Sequence, residues 1–488
     1  MTSISSPARD RASRPVDSDE LRAVFAGEVL TQVDGAAYDD ARAVFNAMFD
    51  RRPALVARAT STADVAAALR FARARDLPIA VRGGGHSVAG YSTVDDGIVI
   101  DLGPMKRIEV DAVARRARVG AGATWGELDR ATQEFGLATT GGRMTTTGVA
   151  GFTLGSGSGW LERLHGLACD NLVSAEVVCA DGAVLTASET QHPDLFWGLR
   201  GGGGNFGIVS EFEFRLHPVG PVLLGGLLLH PRDRAPEVCR FFRDYMAGAP
   251  REIAAGLIFL HAPPAPFVPA DLQGRPAVAI VAGYLGPVDE GAEVLEPLRV
   301  FADPAVDVIR PMPYVEFQAI IDAGNPPGRR NYWRSEMVRE MTDDAIDTLI
   351  ACAAMATSPA SVVVMGPVGG AVADVADDAT PISGRSAPWL YHCYGIWTDD
   401  DDDRHIGWVR STEEAMRPWT KAGISLNFVS DIDGARVRAT FGHDKYQRLV
   451  ALKERYDPEN VFRLNQNIPP RAGGGTAPGA AVPVVEQL

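Results

Sequence analysis

The sequence predicts a two-lobed α+β protein, and three observations carry that expectation. At 488 residues the chain exceeds what one hydrophobic core organises, which calls for two or three units of roughly 150 residues each. Short strands and glycine-dense turns fill the N-terminal part, and near residue 220 they give way to longer apolar strands separated by helical stretches. Apolar residues make up 46% of the chain and charged residues 22%, the balance of a folded soluble protein.

Residues 1–20 and 471–488 are polar or Gly/Ala/Pro-rich without period and read as flexible tails. From Leu55 the run LVARATSTADVAAALRFARARDLPIAVRGGGHS reads as strand, helix with a Ser61 or Thr62 cap, strand and glycine turn. IVIDL from Ile98 and RARVGAGAT from Arg116 follow as strands, then a helix from Trp125 to Phe135 and glycine-dense sequence to Gly159. Strands in SAEVVCADG and GIVSEFEFRLHP complete the first lobe by His217. From Val222 to about Phe428, VLLGGLLLH, AVAIVAGYLG, SVVVMGPVGG and WLYHCYGIW alternate with helical stretches such as DDAIDTLIACAAMA. That pattern predicts an antiparallel sheet carrying helices, whose free face roofs a cleft against the first lobe.

Several function classes are disfavoured. A net charge of −15 opposes binding to nucleic acid or an anionic membrane, both of which need a positive field. No apolar run approaches the ~20 residues that span a bilayer, and the first residues lack the apolar core of a signal peptide, so the cytoplasm is the expected compartment. Cys169, Cys179, Cys239, Cys352 and Cys393 show no CxxC spacing and read as packing residues. The acidic run Asp399 to Asp403 reads as a solvated turn, and no metal site is expected.

VRGGGHSVAG, from Val81 to Gly90, is the most informative segment. Three successive glycines leave backbone N–H groups unobstructed where a strand turns, a geometry that binds phosphate oxygens. It is not the GxGxxG that opens a long helix, which disfavours a nicotinamide-type site. TTTGVAGFTLGSGSGW (Thr145 to Trp160) and LRGGGGNFGIV (Leu199 to Val209) add two more such loops. A long dinucleotide needs several close backbone approaches, and turns alone hardly account for three loops in one lobe. Trp160 and Phe206 read as core aromatics.

RGGGHSVAG, GVAGFTLGSGSGWLERLHGLACDNLVSAEVVCADG, PDLFWGLRGGGGNFGIV and YDPENVFRLNQNI, in that order and spacing, resemble the FAD-linked oxidases of the berberine bridge enzyme type, in their bacterial monocovalent subgroup. The resemblance spans roughly Phe45 to Pro470. It implies the vanillyl-alcohol-oxidase fold, with an FAD lobe of two α/β subdomains and a substrate lobe whose antiparallel sheet is covered by helices. On that pattern, 21–219 is the PCMH-type FAD-binding domain, 220–427 the substrate-binding domain, and 428–470 a C-terminal segment returning to the FAD lobe.

By motif position the resemblance implies that His86 is bonded covalently to the flavin. FAD would further be held by Arg82, Gly83, Gly84, Gly85, Ser87 and Gly90, by Thr147, Gly148, Gly151, Gly155 and Gly157, and by Gly207 and Ile208. Asn465 and Asn467, on alternating positions of FRLNQNI, offer amides to the carbonyl-rich edge of the flavin. Some relatives add a second bond from a cysteine ahead of the second glycine stretch. This chain has MTTTG there, from Met144 to Gly148, so one link is expected, and Cys169 lies elsewhere. Asp170 and Asn171 follow a turn and read equally as backbone partners or cofactor contacts.

Oxidation at a carbon bearing oxygen or nitrogen needs a base facing the flavin. Many relatives have a tyrosine in a Tyr-x-Asn pattern; here Ser425-Leu426-Asn427 stands in that place, and serine is a poor base. Tyr391, His392 and Tyr394 of WLYHCYGIW are the remaining catalytic candidates. Strand alternation puts Tyr391 and Cys393 on one face and His392 and Tyr394 on the other, so only one set can meet substrate. Tyr314, Tyr332 and Trp333 are further candidate linings. Val364 occupies the place of a glutamate found in an oxygenating relative, which weakens an oxygenase reading. The function implied is an oxidase taking hydride from a small alcohol or amine, with dioxygen as acceptor and hydrogen peroxide as product. A dehydrogenase or flavin oxygenase is the nearest alternative, and a flavin-binding protein that has lost catalysis is the alternative of another class. The partners expected are a small-molecule substrate and dioxygen.

Overall fold

The computed structural model describes residues 16–421, 423 and 426–471. Residues 1–15 and 472–488 of the expected tails, and Ser425, lie outside the described residues. A helical turn, Asp19–Arg22, already begins within the first expected tail and buries Leu21.

The chain opens with a four-stranded sheet in the order Glu28–Leu30, Leu55–Arg58, Ile98–Asp101, Ile79–Arg82. The last three run parallel, and parallel strands require a long crossover. Helix Thr62–Ala74 provides it. Ser61 rather than Thr62 is its cap, accepting from Asp64 N at 3.2 Å. Val65, Ala68, Leu69 and Ala72 recur at helical spacing, and all four are fully buried on the sheet side. Each such valine or leucine contributes ~1.5–3 kcal/mol by leaving water.

A second, antiparallel sheet follows in the order Ile108–Asp111, Arg116–Gly120, Ile208–Arg215, Leu172–Val178, Val184–Ser188. Between its strands, helix Trp125–Gln133 starts with a capping box in which Thr124 and Glu127 satisfy each other's backbone N–H groups. One core, including Leu55, Ile98, Trp125, Val177 and Phe212, joins the two sheets.

The third sheet has nine strands among the described residues, all paired antiparallel. Its centre runs Ile253–His261, Val362–Pro367, Trp389–Trp397, Arg330–Val338. Helices Ala235–Gly248, Asp343–Ala354 and Asp402–Met416 cover one face. The first lobe covers part of the other. Trp389–Trp397 is therefore buried at eight of nine positions, which is why it reads as a continuous apolar run. Asp401 accepts from Arg404 N at 3.3 Å at the head of helix Asp402–Met416, so the acidic run is a helix cap.

The last helix, His443–Tyr456, returns the chain to the first lobe. Fully buried Lys453 donates to Asp457 at 2.6 Å, to Asn205 O at 2.9 Å and to Phe462 O at 2.8 Å. This pair pins residues 457–468 against the GGGGN loop.

Candidate active site

Strand Ile79–Arg82 ends in the first glycine loop. Arg82 does not reach the cavity below: buried with Asp101, it bonds that carboxylate at 3.0 and 3.1 Å and ties two strand ends together. Gly84 and Gly148 meet backbone to backbone, and a Cβ on either would come 2.3 Å from the other's nitrogen. Gly85, at φ +72°, turns the chain in a region that side chains disfavour. The two loops thus pack at a separation only glycine allows.

His86 projects from this junction. Phe45 stacks on its ring at 4.3 Å and 16°. Thr146 Oγ1 lies 3.0 Å from Nε2 and Thr147 Oγ1 lies 3.4 Å from Nδ1. Burial lowers the imidazole pKa to about 4, so the ring is neutral at pH 7 and keeps a lone pair for bonding.

A cavity of about 260 Å³ runs from His86 to the third sheet. Gly83, Gly84, Gly85, His86, Ser87, Thr147, Gly148, Gly151, Gly155, Gly207, Ile208 and Asn465 line it, as does the edge of the third glycine loop at Gly203 and Gly204. Gly90, Gly157 and Asn467, like Arg82, are not in the wall. Gly90 gives room to the Phe49 ring and Gly157 to Ala168 and Phe152, so both serve packing. Asn465 donates to Gly204 O at 3.0 Å and Phe462 O at 3.1 Å, while its Oδ1 is buried without a partner. A buried acceptor left open is costly. Walls of bare backbone and an amide oxygen awaiting a donor fit FAD.

The far end is aromatic. Tyr394 and Trp333 line the wall with Phe428, at 4.6 Å and 70° between the first two rings. His392 stacks under Tyr394 at 3.5 Å; it is buried, its Nε2 has no partner, and it does not line the cavity. Tyr391 lies on the opposite face, fully buried in the helix-covered core with Cys393, which removes it from contact with substrate. Tyr314 and Tyr332 do not line the cavity either: one is enclosed in the interlobe core and the other bonds Asp431. Val364 faces His392 across the strand pair.

Burial raises the Tyr394 phenol and lowers His392 well below its ordinary value. Arg143 is the one cation lining the cavity among the described residues, and no carboxylate joins it there. Its guanidinium bonds Ser158, Gly159 O and Glu162 at 3.0–3.3 Å. Its charge favours the Tyr394 phenolate and disfavours the His392 imidazolium.

The sequence reading passed over Arg143, Thr146, Gln466 and Phe428. The first two sit inside GGRMTTTG, and a polar residue beside a glycine loop was the available signal. Asn427 accepts from Gly157 N at 3.2 Å and donates to Gly151 O at 3.1 Å, fixing the second glycine loop. Asp170 pairs with Arg385 and Asn171 bonds His165 O, both outside the cavity wall. Trp160, Phe206 and Cys169 are core residues.

Residues 53–188 match the model of an FAD binding domain, and residues 426–469 match that described as berberine and berberine like. The chain is similar to an FAD-linked oxidoreductase of Bacillus subtilis (strain 168), 30% identical over 454 residues that cover 91% of this chain and 97% of the relative. It is 31% identical to the (R)-6-hydroxynicotine oxidase of Paenarthrobacter nicotinovorans, with 91% and 97% covered. The crystal structure of 6-hydroxy-D-nicotine oxidase from Arthrobacter nicotinovorans matches with a TM-score of 0.82 at 28% identity, over 92% of this chain and 98% of that one.

Proposed function

The chain belongs to the FAD-linked oxidoreductases of the berberine-bridge type, and we propose that it is an oxidase holding FAD by a single bond to His86 and acting on a small aromatic or hydrophobic amine or alcohol. One observation carries this reading: the cavity is continuous from the His86 junction to the Trp333 and Tyr394 rings. When bound, FAD accepts two electrons from substrate and gives them to dioxygen, forming hydrogen peroxide.

The protein's own residues supply position and proton handling. The glycine loops of 21–219 and the returning segment 428–470 hold the cofactor, while 220–427 supplies the wall the substrate meets. Asn465, whose Oδ1 is buried without a partner at the cavity wall, would offer that acceptor to a donor of the bound cofactor. Trp333, whose Nε1 is fixed by Asn331 Oδ1 at 3.1 Å, and Phe428 exclude water and pack against an apolar substrate. Burial raises the Tyr394 phenol and keeps it protonated near neutrality, so Tyr394 takes the substrate proton only as the phenolate, a form that the Arg143 charge favours and higher pH populates. His392 stays neutral beneath it and holds the ring. The similarity to a hydroxynicotine oxidase supports an aromatic amine among the candidate substrates.

Anaerobic mixing with a panel of amines, alcohols and sugars tests this. An aromatic amine or alcohol should bleach the flavin absorbance, and air should restore it with one equivalent of peroxide. No bleaching across the panel would overturn the reading.

A further inference from the structure

Outside the cavity wall, the side chain closest to the proposed attachment chemistry is Thr146. It is exposed, yet its hydroxyl sits 3.0 Å from His86 Nε2. The loop that carries it is unusually well held. Thr145 O accepts from Gly126 N at 2.9 Å, and Thr147 O accepts from Trp125 N at 2.9 Å, both at the head of helix Trp125–Gln133. Thr145 N donates to Asp322 Oδ1 at 3.0 Å, and the Thr145 hydroxyl bonds the same carboxylate. A helix of the first lobe and a carboxylate of the second therefore bracket Thr146. Phe45 closes one face of the imidazole. With one face stacked, Nε2 held at 3.0 Å by Thr146 and Nδ1 only loosely approached at 3.4 Å by Thr147 Oγ1, the ring keeps little rotational freedom and Nδ1 is the nitrogen more easily released.

We propose that Thr146 is the positioning residue of flavin attachment, its hydroxyl orienting the His86 imidazole so that the other ring nitrogen meets the flavin methyl carbon. The inference rests on His86 being the anchor. In the step, a ring nitrogen forms a bond to that carbon and a C–H proton of the methyl group leaves. The pair of electrons released stays on the flavin, and the imidazole N–H proton passes to solvent at the exposed Thr146 edge. Dioxygen then removes the two electrons with two protons as hydrogen peroxide, so the linked flavin ends oxidised. Orientation matters because attack demands alignment of lone pair and carbon, and a rotating ring spends little time aligned.

The test follows covalent attachment, not turnover. Full-length protein produced without flavin is mixed with FAD in air, and samples taken over time are acid-precipitated. Flavin in the pellet is divided by total flavin bound before precipitation. Thr146→Val keeps shape and removes the hydroxyl; it should bind FAD but attach it about tenfold more slowly, the scale of one hydrogen bond to a reacting group. Thr146→Ser should attach at nearly the parent rate. His86→Ala separates the two readings: flavin fixed in that variant, or none fixed in the parent, defeats the anchor itself. With the anchor intact, a Thr146→Val rate equal to the parent rate overturns the role of Thr146. Equal slowing in Thr146→Ser overturns it too, since the hydroxyl would then not be what matters.

Discussion

Asn46 and Asn331 clasp the two lobes through a reciprocal pair of hydrogen bonds: Asn46 Nδ2 donates to Asn331 O at 2.8 Å, and Asn331 N donates to Asn46 Oδ1 at 2.9 Å. Both residues are buried, and 285 positions separate them. Asn46 Nδ2 also donates to Val88 O at 3.0 Å, so the same amide holds the loop of His86 and the strand of Trp333. The two ends of the cavity are registered by one side chain.

Asn46→Ala would strand a buried N–H and two carbonyls. The expected cost is about 2–4 kcal/mol, read as a drop in Tm. Because the clasp joins the cofactor and substrate walls, bound FAD should also dissociate faster before any covalent bond forms. A variant with parent Tm would show that water replaces the amide.

Denatured protein should remain yellow. If His86 is the anchor, acid precipitation leaves the flavin in the pellet, and digestion yields one flavin-bearing peptide containing His86. A colourless pellet would remove the covalent reading, and a flavin on a peptide containing Cys169 would relocate the bond. Cys169 is fully buried beside the Asp170–Arg385 pair, away from the cavity wall.

What the sequence revealed and what it hid divide along physical lines. The glycine loops were legible because the requirement is local: at Gly84 and Gly148 no side chain fits between the backbones, and such a demand marks the sequence at that position. The same local signal overreached at Gly90 and Gly157, where the space is filled by Phe49 and Ala168. Alternation along Trp389–Trp397 separated Tyr391 from His392 and Tyr394 correctly, but it could not say which face meets the cleft. That choice depends on helix Asp402–Met416 packing on one side. Arg143 and Glu162, or Thr146 and His86, meet only through loop contacts that no periodicity encodes.

Stability should fall as the solution is acidified below neutrality. Burial lowers His165 to about 3, His217 to about 4 and His230 to about 4. His217 is further lowered by Arg215 and Arg115, and His230 by Arg234 against an opposing Glu237. Their unfolded value is about 6.5. Folded values below the unfolded one mean the unfolded chain takes up protons first, so the stabilisation is complete above pH ~6.5 and is lost on descent toward pH ~4. His165 and His217 stack at 3.8 Å, so charging both also sets cation against cation. Urea midpoints measured from pH 7 to 4.5 should decline steadily, and a flat profile would contradict these assignments.

Lys453→Ala should cost about 3–5 kcal/mol, because it leaves the Asp457 carboxylate buried without its cation. Both side chains are fully buried. The defect should localise: hydrogen exchange should accelerate in residues 457–468, which the lysine ties to Asn205. If protection there is unchanged, the segment is held by Asn205 and its bonds to Gln466 O and Ile468 N.

The last prediction concerns the proton. Tyr394→Phe should slow anaerobic flavin reduction by roughly 10²- to 10⁴-fold, the loss expected for removing a general base, with reoxidation by dioxygen nearly unchanged. Phenylalanine keeps the ring stacked on His392 and edge-on to Trp333, so a loss at normal flavin content reports chemistry and not collapse of the wall. His392→Phe should slow reduction by no more than roughly tenfold, since His392 supports the ring without touching the cavity. Arg143→Met, which removes the charge favouring the phenolate, should move the pH profile of reduction upward in the parent and have no such effect once Tyr394 is Phe. If both Tyr394→Phe and a Tyr91→Phe variant, which alters the other tyrosine of the cavity wall among the described residues, reduce the flavin at the parent rate with a verified substrate, no tyrosine is the base, because Tyr314, Tyr332 and Tyr391 do not line the cavity. The substrate would then be one that needs no base, such as a neutral amine whose own nitrogen lone pair drives the hydride out.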